Sequence, residues 1–108
     1  MNEPADAASP APERRPPEGA IVRALPIVNS KGLHARAAAQ FVLTVEKFDA
    51  AVTVTRGHET VGGDSIMGLL MLSAGPGTSI TVTAAGAQAA EVMAALETLV
   101  AGRFGEGE

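Results

Sequence analysis

The chain has no cysteine, no tryptophan and no tyrosine. The first absence excludes a disulfide framework, cysteine metal ligands and a cysteine nucleophile, and it suits a reducing compartment. The other two leave three phenylalanines as the only aromatic residues. The core must then be built from Val, Leu, Ile, Ala and Met, and there is no aromatic platform on which bases could stack. Positive charge is also scarce, with eight Lys and Arg against twelve Asp and Glu and a net charge of −4. A chain without a basic stripe is not expected to bind nucleic acid. No apolar run approaches the ~20 residues that span a bilayer, so no membrane partner is expected. The first residues lack the charged-then-apolar order of a secretory signal. These absences point to a cytoplasmic protein. Two histidines far apart in sequence, with no cysteine, support no metal site. No carboxylate pair, Ser–His–Asp set or Gly-rich nucleotide loop emerges.

What is present reads as one domain of modest size. Residues 1–19 hold five of the seven prolines and no apolar period, which predicts a disordered tail. Residues 20–104 carry the periodic segments, and 105–108 read as a frayed acidic end. Ala20 to Asn29 predicts a first strand, with Pro26 marking an edge or a bulge. A helical stripe comes next at Ala35, Ala38, Ala39, Val42 and Val45. "AAVTVTR" alternates strictly, "GH" fits a two-residue hairpin loop, and "ETVGG" returns as a short strand. "DSIMGLLML" predicts a short helix capped by Asp64 or Ser65. "SITVTA" alternates again. Ala89, Val92, Met93, Leu96, Leu99 and Val100 then form the stripe of a closing helix. The order βαββαβα implies an α+β, two-layer, open-faced sandwich. Its four-stranded antiparallel sheet is covered on one face by three helices.

The most informative stretch is "KGLHARAAAQFV", Lys31 to Val42. Gly32 permits a tight loop with positive φ. His34 then falls at the N-terminus of the first helix, where backbone N–H groups lack intrahelical partners and the macrodipole favours anions. Arg36 could add a forked guanidinium matched to phosphate oxygens, and Lys31 a weaker point charge. A positive helix end and nearby cations disfavour imidazolium, and a neutral imidazole has a lone pair able to attack phosphorus. The same groups would face the negative charge of a phosphorylated ring. The plainer reading is a histidine that only caps the helix, and the residues alone balance the two.

"GLHARAAAQFV" resembles the active-centre signature of the histidine-containing phosphocarrier proteins (HPr and NPr) of the bacterial phosphotransferase system. "GGDSIMGLLML" resembles the second signature of that family. The resemblance covers about Ala20 to Arg103, with both signatures in family order. It implies that His34 accepts phosphate from enzyme I, on the ring nitrogen nearer the backbone, and passes it to an EIIA-type protein. Arg36 would be the phosphate-assisting arginine. Such a carrier needs no bound cofactor, is not an enzyme in the turnover sense, and is expected as a monomer. One departure is Ala37, where the family usually has proline. Proline near a helix start lacks an N–H and pre-sets φ. The helix is expected to survive, with a less fixed first turn.

Ser65 precedes an apolar helix, so its simplest role is N-capping. The resemblance adds that a serine kinase/phosphorylase modifies this residue in many members. A phosphate there would add about −1.5 to −2 charge beside the docking face. Ile66 and Met67 are expected to face outward and, with Ala35, to form a partner-docking surface, while Leu69 and Leu72 serve the core. Sugar-uptake members of the family carry several lysines along the first helix. The corresponding places here include Leu43 and Glu46, and Gly68 replaces another base. This thin basic face resembles the regulatory, nitrogen-related branch. His58 and Asp64 are expected to be ordinary surface residues, Asp64 with a possible capping role. The alternative function is a non-catalytic interaction module acting through the Ser65–Met67 helix surface.

Overall fold

A computed structural model describes residues 19–106. The tail reading for residues 1–18 and the last two residues of the acidic end lie outside the described residues. The strands are β1 (Ile21–Pro26), β2 (Ala51–Arg56), β3 (Glu59–Gly62) and β4 (Ser79–Ala85). The helices are α1 (Ala35–Glu46), α2 (Ile66–Met71) and α3 (Ala89–Ala101), and a 3₁₀ turn at Arg103–Gly105 closes the order.

The strands form one sheet in the order β1-β4-β2-β3, with every neighbouring pair antiparallel. Alternation sets its faces. Val52, Val54, Ile80, Val82 and Ala84 are buried, while Ala51 and Thr53, which alternate with the β2 valines, are exposed. Period-two side chains need only one cover, and the three helices supply it on the face where the core lies. Fully burying one aliphatic or aromatic core residue, such as Ile80 or Phe41, is worth about 1.5–3 kcal/mol. Gly57, at φ +64°, opens the two-residue β2–β3 turn, as a primed hairpin turn requires. β1 is shorter than the sequence suggests. Pro26 pairs opposite Ser79 at the end of this edge strand, and Asn29 already begins the turn that leads to α1.

The buried face of α1 also differs from the predicted stripe. Ala37, Ala38, Phe41, Val42 and Val45 are buried, whereas Ala35 is exposed and Ala39 half-buried. The observed positions still fit one helical face. A run of alanines offers hydrophobicity without size, so it does not fix the phase; Phe41 does. Ala37 is completely buried, and α1 begins at Ala35 without the family proline. The closing helix matches its stripe more closely, with Leu99 only partly buried beside the core.

Candidate functional site

The loop before α1 is held from both sides. Gly32 N–H donates to the Asn29 carbonyl at 3.2 Å, closing a tight turn, and Leu33 N–H donates to the Ala74 carbonyl at 2.9 Å. Gly32 sits at φ +65°, and a Cβ there would lie 2.6 Å from the Ala74 carbonyl oxygen. Only glycine meets both conditions. The segment after α2 therefore anchors the loop that presents His34, bringing the two sequence signatures together.

His34 is the N-cap of α1, in extended conformation. Its carbonyl accepts the Ala38 N–H at 2.8 Å, so the N–H groups of Ala35, Arg36 and Ala37 have no acceptor within the helix. Its imidazole makes no capping hydrogen bond and is 28% exposed. The ring is thus neither packed inside nor used to close the helix end. Arg36 and Lys31 flank it and are exposed, and among the described residues the Arg36 guanidinium is uncommitted.

The ring has one close partner that spacing and composition do not announce. His34 Nε2 lies 2.5 Å from Glu106 Oε2, and buried Asn29 donates from Nδ2 to Glu106 Oε1 at 3.1 Å. Asn29 also donates to the Gly32 carbonyl at 2.8 Å, tying the carboxylate to the loop. Composition alone puts Glu106 in a frayed acidic end; instead it docks at the start of α1. The hydrogen bond from His34, then that from Asn29, hold its carboxyl below the usual value of 4.5, with smaller help from the charges of His34 and Lys31 and some opposition from desolvation. The available signal was Phe104, an apolar residue just past the helix end in a chain with three phenylalanines. It is buried and fixes the path of the chain to Glu106.

Ser65 caps α2, its Oγ accepting the Gly68 N–H at 2.9 Å; Asp64 is exposed and leaves that role to its neighbour. Ile66 and Met67 face outward at 40% and 68% exposure, and Met71 joins them. Leu69 and Leu72 are buried as expected. Gly68 has a local reason as well: a Cβ there would lie 2.9 Å from Val61 Cβ and 3.1 Å from Ser65 Oγ, so any side chain would require α2 or its neighbours to shift. His58 is exposed in the hairpin. Among the described residues no cluster of His, Asp and Glu could hold a metal ion, and no helix is long and apolar enough to cross a membrane. A shallow groove of about 470 Å³ at Thr44, Lys47, Phe48 and Leu99 lies toward the other end of α1 from His34.

An open-faced sandwich that presents an accessible imidazole at a helix start, beside an exposed guanidinium, defines a small phosphoryl-carrier class. Comparison with known proteins agrees. A family model described as the PTS HPr component phosphorylation site matches residues 21–102. The phosphocarrier protein HPr of Neisseria meningitidis is 48% identical over 88 residues, covering 82% of this chain and 99% of the relative. The phosphocarrier protein NPr of Shewanella violacea is 38% identical over 86 residues, covering 80% and 94%. A crystal structure of HPr from Thermoanaerobacter tengcongensis superposes with a TM-score of 0.78 at 35% identity, covering 82% of this chain and 99% of that one. The chain belongs to the HPr/NPr family of phosphocarrier proteins. Its role is that of a phosphoryl carrier, not an enzyme with its own turnover.

Proposed function

We propose that His34 is the phosphoryl acceptor, taking the group on Nδ1 from phosphorylated enzyme I and giving it to an EIIA-type protein. The observation that carries this reading is the commitment of the ring. His34 stands at the N-terminus of α1 with Nε2 against Glu106 and with no capping bond. A carboxylate can only accept, so Nε2 carries the hydrogen and a neutral ring keeps its lone pair on Nδ1. Arg36 and the first N–H groups of α1 would stabilise the charge that arrives. Ala35, Ile66 and Met67 would contact both partners in turn, the protein acting as a cytoplasmic monomer.

Two finer assignments accompany this reading. Ser65 would be a switch under a serine kinase/phosphorylase. Its phosphate could still accept the Gly68 N–H while placing negative charge beside Ile66 and Met67. The output would belong to the nitrogen-type regulatory branch, as supported by the NPr relative and by Leu43, Glu46 and Gly68 at places where the sugar-uptake members carry bases. The alternative, a contact-only module, draws on the exposed Ile66, Met67 and Met71.

Incubation with enzyme I and phosphoenolpyruvate tests the assignment. Acid-labile, base-stable phosphate should appear on the chain, and His34→Ala should abolish it. Label persisting in that variant refutes His34. Unlabelled wild type whose target binding ignores the substitution favours the contact module.

A further inference from the structure

The turn after α3 is built to deliver one carboxylate. Arg103, Phe104 and Gly105 lie consecutively in the left-handed region, at φ +58°, +55° and +76°. Two of these residues are not glycine, and L residues occupy that region at a cost. Such strain persists where the surroundings fix it, commonly beside functional groups. Here Phe104, 2% exposed in the core, fixes it. The reversal carries Glu106 to a ring 72 positions away in the chain. Asn29, fully buried, holds the other carboxylate oxygen. Asn29, Glu106 and His34 thus form a relay of hydrogen bonds that ends on the imidazole.

We propose that Glu106 is a positioning residue for phosphoryl transfer, holding His34 in the Nε2–H tautomer and balancing the charge of the phosphorylated ring. This rests on the carrier reading of His34. In the uptake step the Nδ1 lone pair forms the new N–P bond. The donor's own bond to phosphorus breaks, and its electron pair stays on the donor. The hydrogen on Nε2 remains in place, so the ring becomes formally positive while the phosphoryl group brings its negative oxygens. Glu106 faces that ring from one side; Lys31 and Arg36 are the nearby cations. When the group leaves, the N–P pair returns to Nδ1 and the neutral tautomer is restored with no proton moved. A ring free to adopt the other tautomer would present a protonated Nδ1, which has no lone pair to offer. The carboxylate therefore acts on the fraction of rings ready to react, and Asn29 acts on the carboxylate.

The test uses the full chain and three variants, Glu106→Ala, Glu106→Gln and Glu106→Asp. Ring ¹⁵N shifts of His34 in the unphosphorylated, neutral state should show Nε2–H in the wild type and a mixture of tautomers in Glu106→Ala. Uptake from phosphorylated enzyme I should fall roughly tenfold or more in Glu106→Ala and Glu106→Gln, with partial recovery in Glu106→Asp. Far-ultraviolet circular dichroism and urea midpoints confirm that each variant is folded. Wild-type uptake rates together with an unchanged ¹⁵N signature in folded Glu106→Ala overturn the proposal. Failure of the carrier reading is distinguishable: the wild type itself then takes up no phosphate, and the positioning role falls with it.

Discussion

Glu106 sits where two requirements meet. Its carboxylate must stay ionised to accept from both Asn29 and His34, and those same bonds hold its titration below the ordinary 4.5. A carboxyl depressed in the folded state contributes stability that is fully present above its unfolded value. The contribution is lost as pH falls through the lower, folded value. Wild type should therefore have a higher urea midpoint than Glu106→Gln at pH values above about 4.5. The gap should close on further acidification. A gap that stays constant into strong acid contradicts the depressed carboxyl. The Asn29 Oδ1 beside it is buried with no partner among the described residues, an uncommon cost in a native site. The amide is oriented by its two donor bonds, to Gly32 and Glu106.

Among the elements, α2 depends most on its ends. Six residues are too few to hold a helix unaided. Ser65 satisfies the Gly68 N–H at the start, and Arg56 Nη1 donates to the Leu72 carbonyl at the other end, at 3.0 Å. Leu69, under its middle, is the single fully buried residue of the helix. Replacing Ser65 with alanine should cost about 0.5–2 kcal/mol, read as a lowered urea midpoint. An unchanged midpoint would mean that the cap is dispensable. The order and type of these elements were legible from the sequence because alternation and helical spacing are local, whereas β1 ends at Pro26, short of the expected Asn29. The strands β2 and β4 declare their faces through Val and Thr. α1 was less legible: Ala35, Ala37, Ala38 and Ala39 are interchangeable to any hydrophobic period, and only packing of Phe41 decides that Ala37 is buried and Ala35 exposed.

At the scale of the whole molecule, the site is assembled from three distant segments. The 29–34 loop brings Asn29 and His34, the stretch after α2 anchors that loop through Ala74, and the turn after α3 adds Glu106. His34, Arg36 and Ser65 stood out in sequence because their chemistry is tied to local motifs at helix starts. Glu106 did not, since a contact spanning 72 positions leaves no period and its neighbours are glycines. Long-range closure by a buried Phe104 is a property of the packed fold, invisible to spacing.

The most direct measurement is ¹⁵N–³¹P coupling in ring-labelled protein after phosphorylation by enzyme I and phosphoenolpyruvate. The account predicts coupling to Nδ1 of His34, with the Nε2 hydrogen retained. Phosphorus on Nε2 of His34, or on His58, would contradict it.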